Sequence, residues 1–310
     1  MTDKGHLVSD ASVLSSALPP LLLAAERVAS TVREGMHRRR RAGPGESFWQ
    51  FRPYLAGDPV HRIDWRQSAR TDTLFIRERE REITQNAYLW ADASDSMRYS
   101  SQKEWPSKVE RARILVLGLA DLLLRSGERV TWLGNEPVAL NEKTGLERAA
   151  FEALRQKGES RPPQAPIAKH AHMVMASDFL MPDGVFDELM RGYAALNLRG
   201  VLLHILDPAE MELPFEGRLE MQGCENETPL LLPNVGALRA AYRERMEAHE
   251  AKLKRAAQMA SWHYLKHVTD TPPYAALLQT YQYLSADAYP FAQPSAQAQS
   301  SLQARAARSF

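Results

Sequence analysis

Apolar residues recur along this chain in two alternating spacings, one typical of buried strands and one typical of amphipathic helices. The short apolar runs predicted as core strands are 87–91, 129–133, 172–176, 200–206 and 263–268. The segments with helical spacing are 108–125, 146–156, 185–196, 235–260 and 273–284. Parallel strands need long crossover connections, which are usually helices. The alternation therefore predicts an α/β fold: a doubly wound, mostly parallel sheet with helices on both faces. A hairpin partner at 137–140 and a small hairpin at 218–223 and 229–232 complete the main domain.

The residues before and after the alternating strands and helices do not follow the same pattern. Helical spacing over Ala11–Glu34 predicts an amphipathic helix, and residues 48–82, here called the Arg-aromatic segment, resemble no simple helix or strand. Within that segment, 73–76 and 79–83 have the character of extended chain. After Ala286 the sequence is rich in Ala, Gln and Ser. We predict an N-terminal extension (1–84) packed on the main domain (85–285), and a disordered tail (286–310).

Composition and charge exclude several classes of protein. Thirty-nine basic and 38 acidic residues leave a formal net charge of +1, which does not favour a nucleic-acid partner. The basic run 37–41 is typical of a solvated helix end. The single cysteine, Cys224, excludes a disulfide within the chain and fits a reducing compartment. No apolar run approaches the roughly 20 residues that a membrane span needs, and the first residues do not resemble a secretory signal. We expect a cytoplasmic protein without a membrane span.

Two strand ends carry the residues with candidate chemistry. Asp92, Ser94 and Ser96 directly follow the strand at 87–91, and Asp178 follows the strand at 172–176. Ligands of doubly wound sheets bind beyond the carboxyl ends of the strands, so these side chains are expected to converge. Mg²⁺ prefers oxygen ligands, of which typically one or two are carboxylates. The pattern predicts a Mg²⁺ (or Mn²⁺) site whose open coordination position attracts a carboxylate from another protein.

The simpler interpretation of the same residues is that Asp92 caps a turn and the serines are solvated, a common role for these residue types. Asp207 and Glu210 also follow a predicted strand. They either lie at the same edge of the sheet or cap the turn around Pro208.

Asp92, Ser94 and Ser96 are similar to the metal-site motif of von Willebrand factor A domains, and the surrounding sequence resembles the bacterial DUF58 family. The matching segments are 45–48, 52–54, 57–58, 62–65, 69–71, 78–82, 92–97, 107–108, 177–179, 207–210 and 213–214. The resemblance implies a von Willebrand A or Rossmann-like domain with an N-terminal extension. It also implies association with MoxR-type AAA+ ATPases, or with other von Willebrand A-domain proteins, and no established enzymatic activity. The chain lacks a transmembrane hairpin near its start and resembles the family's soluble subtype.

One departure from the family pattern concerns a further ligand. Relatives with a full site usually supply a threonine from a loop before the strand that ends at Asp178, but residues 158–171 form a short, proline-rich stretch here. Ser160 is the candidate substitute and Thr144 a weaker one. The short loop predicts a metal site that is weak or incomplete.

The Arg-aromatic segment combines opposite charges with aromatic side chains, a composition that suits charge-assisted hydrogen bonds. The residues concerned are Arg52, Tyr54, Asp58, Arg62, Asp64, Trp65 and Arg70. They either brace an irregular segment or dock a partner, and the pattern favours neither.

The leading functional hypothesis is a non-catalytic protein-interaction module with a Mg²⁺-dependent adhesion-type site, acting with a MoxR-type ATPase as adaptor or chaperone-like component. One alternative is a metal-independent scaffold that docks through the Arg-aromatic segment. A phosphohydrolase with Asp92 as nucleophile is less favoured. Ser94 occupies the position where such enzymes need a second carboxylate, and the sequence shows no Gly-rich phosphate loop.

Overall fold

The structure is a computed structural model. It describes residues 17–34, 49–54, 58–60, 63–70, 73–79, 84–141, 144–156, 158, 160–182, 184–215, 217, 219–221, 230–232 and 235–285. The predicted tail at 286–310, the basic run 37–41, Arg62 and Cys224 lie outside the described residues.

A six-stranded, mostly parallel sheet forms the centre of the main unit. Its strands are β3 (Asn86–Ala91), β4 (Arg129–Leu133), β5 (Pro137–Ala139), β6 (His172–Ser177), β7 (Arg199–Leu206) and β10 (His263–Val268). Their order is β10-β7-β6-β3-β4-β5, and only β5 runs antiparallel to its neighbour. The predicted core strands are confirmed, and so is the hairpin partner at 137–140. A separate two-stranded sheet pairs β8 (Leu219–Met221) with β9 (Leu230–Leu232), which confirms the small hairpin.

Helices connect the strands, as the spacing of apolar residues predicts. They are α1 (17–34), α3 (Lys108–Arg125), α4 (Gly145–Arg155), α5 (Val185–Ala195), α6 (Pro208–Glu212), α7 (Val235–Met259) and α8 (Pro273–Ser285). The helix α3 begins with a capping box, in which the Ser107 side chain and the Glu110 side chain each accept from the other residue's backbone N–H. The helix α6 was not predicted, because its five residues are too few to show a helical pattern. Pro208 at its first turn suits a helix start.

Helices lie on both faces of the sheet, as neighbouring residues of β6 show. Met173 and Met175 pack in one buried cluster with Phe186 of α5 and Leu253 of α7. Val174, which points to the opposite face, lines a small space together with Leu115, Val116 and Leu119 of α3. Because successive side chains of a strand point to opposite faces, β6 is covered on both sides. This explains why all six of its residues are buried.

Two glycines permit close packing around the sheet. A Cβ at Gly200 in β7 would lie only 2.2 Å from the ring of Trp262, which packs directly over this backbone. A Cβ at Gly118 in α3 would lie 3.0 Å from Leu277 and 3.4 Å from the carbonyl oxygen of Ala25 in α1. The helix α1 therefore packs against the helical layer of the sheet.

The described residues divide into two compact units, one within Gly35–Ile83 and one within Met1–Glu34 and Thr84–Phe310. The helix α1 belongs to the second unit, and its Arg33 forms an ion pair with Asp121 of α3 (Nη1 to Oδ2, 2.9 Å). Sequence reasoning grouped this helix with the Arg-aromatic segment instead. The packing of that segment on the main domain stays a prediction.

The smaller unit contains an antiparallel pair, β1 (Trp49–Pro53) and β2 (Phe75–Arg79). A single helical turn, α2 (Trp65–Ser68), lies between them in sequence. Extended chain was predicted at 73–76, and the strand begins at Phe75. The statement that the segment resembles no strand or helix is wrong for β1 and α2. Trp49 and Phe51 alternate with Gln50 and Arg52, which is a strand period too short to stand out, and α2 is a single turn.

Candidate functional site

The candidate site lies where the strand order reverses. From β3 the chain crosses to β4 on one side, and the later strand β6 pairs with β3 on the other side. In such sheets the crossover helices leave a crevice beyond the carboxyl ends of these two strands. Asp92 follows β3 and Asp178 follows β6. The Asp92 N–H donates to the Ala176 carbonyl (2.9 Å), which continues the pairing past the last residue of β3.

The four predicted site residues form one hydrogen-bonded chain. The Ser94 N–H donates to Asp92 Oδ1 (2.8 Å), and the hydroxyl oxygens of Ser94 and Ser96 are 3.2 Å apart. The Ser96 hydroxyl then donates to Asp178 Oδ2 (2.8 Å). The tight turn Asp95–Arg98, a 3₁₀ helix, places both serines against the strand ends. The structure thus brings together Asp92, Ser94, Ser96 and Asp178, and their role as metal ligands stays a prediction.

Asp92 is a fully buried carboxylate, 0% exposed, and Ser96 is the half-buried member of the chain that reaches solvent. The Ser177 hydroxyl donates to Asp92 Oδ2 (2.6 Å). No ion pair joins Asp92 to a basic side chain in the part of the chain that the structure describes. Burial raises the pKa of Asp92 to about 6 despite the hydrogen bonds from Ser177 and Ser94, and the charge of Asp178 adds to the increase.

The other carboxylate of the pair, Asp178, has a cationic partner that sequence reasoning missed. Lys108, the first residue of α3, is 0% exposed, and its Nζ lies 2.9 Å from Asp178 Oδ2 and 2.5 Å from Glu210 Oε1. A lysine at a helix N-terminus opposes the helix dipole. That unfavourable position is the sequence signal that could have indicated a specific anionic partner.

This buried triad has strongly coupled charges. Burial tends to raise the pKa of Asp178, but the Lys108 ammonium outweighs that effect and holds the pKa below its usual value. Burial tends to lower the pKa of Lys108, and the two carboxylates together raise it, which keeps the amine charged. For Glu210 burial prevails and the pKa is raised.

Glu210 and Asp207 both belong to the N-terminus of α6, where they form a capping box. The Glu210 carboxylate accepts from the Asp207 N–H (2.8 Å) with its second oxygen while its first oxygen contacts Lys108. Asp207 Oδ2 accepts from the Ser101 N–H (3.0 Å), so the loop after the serine motif is held at the same edge. Both interpretations of these acidic residues, helix capping and proximity to the site, are therefore correct.

The donor chemistry of the site fits a hard divalent cation such as Mg²⁺. Asp92 Oδ1 accepts from the Ser94 N–H and Oδ2 accepts from the Ser177 hydroxyl, which leaves a lone pair on each oxygen, and both serine hydroxyls can accept a further contact. Asp178 Oδ1 likewise has one donor, the Leu180 N–H at 3.1 Å. Two carboxylates and two hydroxyls match the oxygen set that Mg²⁺ uses with retained waters. Among the described residues no cluster of three or more His, Cys, Asp or Glu side chains forms a richer alternative site.

Ser160, the candidate for an additional ligand, is buried but forms no hydrogen bond with the four site residues in the described structure. It follows Gln156, whose Nε2 donates to the Ala91 carbonyl (3.0 Å). The residue that caps the end of α4 thus contacts the end of β3. Thr144 is exposed and hydrogen-bonds to Asn141 at the start of α4.

The Arg-aromatic residues have varied surroundings within their own unit. The Tyr54 N–H donates to the Leu74 carbonyl, and the Asp64 N–H donates to the Phe75 carbonyl. These two hydrogen bonds brace the β1–β2 pair. Trp65 is 61% exposed and Arg70 is exposed, whereas Asp58 is half-buried. Arg52 lies opposite Ile76 in the pairing of β1 with β2.

No helix in the described ranges is both long and apolar enough to cross a bilayer.

Comparisons with known proteins place the chain in a family. The family described as "Protein of unknown function DUF58" matches residues 50–252. Uncharacterised proteins from Mycobacterium bovis and Mycobacterium tuberculosis are 25% identical over 257 residues, which cover 78% of this chain and 80% of each relative. Among solved structures, the conserved hypothetical protein BatB from Bacteroides thetaiotaomicron matches with a TM-score of 0.38 and 13% identity, over 64% of this chain and 97% of that one.

Proposed function

We propose that this chain, which belongs to the DUF58 family, is a non-catalytic protein-docking module with a von Willebrand factor A-like fold. In this proposal Asp92, Ser94, Ser96 and Asp178 hold Mg²⁺, or Mn²⁺, at the end of β3. The bound cation supplies a coordination position for a carboxylate of a partner protein. Ser96 is the half-buried residue through which the partner reaches the site.

One observation carries this proposal: the Asp92 carboxylate is buried without a basic partner among the described residues. A buried charge is costly unless it is paired or binds a metal. The raised pKa of Asp92 expresses that cost. A divalent cation beside the two serines would offset it, because hydrogen bonds already hold the four residues together.

The topology of the sheet also supports a ligand site at Asp92 and Asp178. The strand order β10-β7-β6-β3-β4-β5 places the reversal between β3 and β6, which is where open α/β sheets bind ligands. Both candidate carboxylates follow these two strands.

The arrangement does not favour a phosphohydrolase. A nucleophile must approach its substrate within about 3.5 Å in line with the leaving group, whereas both Asp92 oxygens are enclosed and hydrogen-bonded. Ser94 also replaces the acid that such enzymes use. Metal-dependent phosphatase and ATPase assays should detect no turnover. Turnover that disappears in Asp92→Asn would overturn the non-catalytic assignment.

The partner class we propose is a MoxR-type AAA+ ATPase, or another von Willebrand A-domain protein, and this rests on the family resemblance. The test is a pull-down of a purified MoxR-type ATPase on the immobilised chain in Mg²⁺ and in EDTA. We expect retention in Mg²⁺ and its loss both in EDTA and with Asp92→Ala. Equal retention in all three conditions would contradict a metal-dependent dock.

A metal-independent scaffold is a second candidate, because Trp65 in the Arg-aromatic segment is 61% exposed. Exposed tryptophans are enriched at the centres of protein interfaces. This candidate predicts binding that survives EDTA and is lost in Trp65→Ala. The matched control is Leu180→Ala, which removes an exposed apolar side chain from the main unit.

A further inference from the structure

We infer that Lys108 is an internal cation of the docking site, which competes with the divalent metal for Asp178 and thereby sets the metal affinity. This inference rests on the proposed function, because it concerns the same four ligands. It assigns a role to a residue that is not itself a ligand.

The geometry of Asp178 Oδ2 is the first step. This oxygen accepts from Lys108 Nζ at 2.9 Å and from the Ser96 hydroxyl at 2.8 Å. A carboxylate oxygen has two lone-pair positions, so both are in use. A cation that binds this oxygen must displace either Lys108 or Ser96. A cation that binds Oδ1, which accepts from the Leu180 N–H, lies on the same carboxylate as the Lys108 ammonium and is repelled by it.

The second step concerns the charges. The carboxylates Asp92, Asp178 and Glu210 carry three negative charges when ionised, and Lys108 is the basic side chain that forms ion pairs with two of them. The Lys108 side chain is 1% exposed, so water screens its charge little. A metal ion bound beside Asp178 experiences repulsion from this nearby positive charge.

The third step concerns assembly of the site. Lys108 joins the N-terminus of α3 to the end of β6 and to the capping box of α6. Three elements are therefore held in place by a cation that belongs to the chain. It follows that the metal-free site keeps its shape, and that the metal is held mainly by Asp92, Ser94 and Ser96.

The experiment measures Mg²⁺ binding by calorimetry, together with thermal unfolding with and without Mg²⁺, for the full chain and four variants. Lys108→Met removes the ammonium and keeps an apolar stem of similar length. Lys266→Met is the matched control, because Lys266 also contacts a carboxylate, Glu250 (3.0 Å), but on strand β10. Glu210→Gln leaves Lys108 with Asp178 as its ionised partner, and Asp92→Asn tests the ligand set.

For Lys108→Met we expect the Mg²⁺ dissociation constant to fall on the order of tenfold, because a buried like charge is removed. Its melting temperature without Mg²⁺ should fall, and the increase caused by Mg²⁺ should exceed that of the unsubstituted chain. Lys266→Met should leave the dissociation constant unchanged. An unchanged or weaker affinity in Lys108→Met would overturn the inference.

Glu210→Gln keeps the inference testable if Lys108→Met does not fold. In Glu210→Gln, Lys108 interacts more strongly with Asp178 because it has lost its other carboxylate partner. The Mg²⁺ affinity should therefore fall several-fold. A higher affinity would contradict competition between Lys108 and the metal.

The two proposals fail in distinguishable ways. If the unsubstituted chain binds no Mg²⁺ but Lys108→Met does, the competition is supported and the metal-dependent docking function fails. If the unsubstituted chain binds Mg²⁺ and Lys108→Met binds no more tightly, the competition alone fails. If neither binds, both fail.

Discussion

Asp92 and Asp178 follow adjacent parallel strands at one edge of the sheet, yet their carboxylates have different partners. Asp178 pairs with the buried Lys108 and its pKa is lowered, whereas Asp92 receives only hydrogen bonds and its pKa is raised to about 6. Both are essentially inaccessible to solvent. The difference indicates that the end of β6 is electrostatically satisfied by the chain itself. The end of β3 carries a buried carboxylate that has no basic partner among the described residues.

The largest expected effect is the loss of stability in Asp178→Asn. This change leaves the buried Lys108 with Glu210 alone, and breaking a buried ion pair typically costs about 3 kcal/mol or more. Denaturant unfolding without metal should show the decrease. Gly200→Ala is the control, because it forces a shift of Trp262 and lowers stability without altering Mg²⁺ affinity. If Asp178→Asn is as stable as the unsubstituted chain, the two strand ends do not differ as described.

Asp92→Asn should have the opposite effect and stabilise the metal-free chain by up to about 3 kcal/mol. The increase of the Asp92 pKa from 3.8 to about 6 measures an unfavourable buried charge, and each pKa unit corresponds to roughly 1.4 kcal/mol. Asparagine is similar in shape and can still accept from the Ser94 N–H. The measurement is the free energy of unfolding at pH 7 in EDTA. A clear loss of stability would mean that the charged form of Asp92 supports the fold.

The pH dependence of the free energy of unfolding isolates the contribution of the Asp92 charge. A carboxyl whose folded pKa is raised binds more protons in the folded state, so its contribution to stability is present below about pH 4 and is lost as the pH rises through about 6. The stability difference between Asp92→Asn and the unsubstituted chain should grow from near zero at low pH to its plateau above that range. Taking the difference removes the contributions of buried histidines such as His204. A difference that is independent of pH would contradict the raised pKa.

Most of the fold could be predicted from the sequence, because buried strands and crossover helices leave apolar periods that are long enough to recognise. The strands β3, β4, β6, β7 and β10 follow that rule. The helix α6 and the strand β1 were missed because each has only five residues, which are too few to show a clear period.

The candidate site was predictable only in part. Strand ends in a parallel sheet meet at one edge, so the convergence of Asp92 and Asp178 follows from topology. The pairing of Lys108 with Asp178 and Glu210 spans 70 and 102 residues of sequence. No local pattern specifies contacts over such separations. The unfavourable position of a lysine at the start of α3 is the one hint that the sequence contains.

Ser160→Ala should have the smallest effect. Ser160 is buried but forms no hydrogen bond with the described site residues. We expect a change in Mg²⁺ affinity below about threefold, which corresponds to well under 1 kcal/mol. Calorimetry provides the comparison, with Thr144→Ala as a control at the exposed start of α4. A much larger loss would identify Ser160 as the additional ligand.

The difference between the two strand ends is tested most directly by calorimetric titration of the full chain with Mg²⁺, beside Asp92→Asn. We predict saturable binding to the unsubstituted chain and none to Asp92→Asn, although that variant remains folded and is more stable without metal. Binding that is absent from the unsubstituted chain, or equal in the two proteins, would contradict a metal-dependent docking site at Asp92.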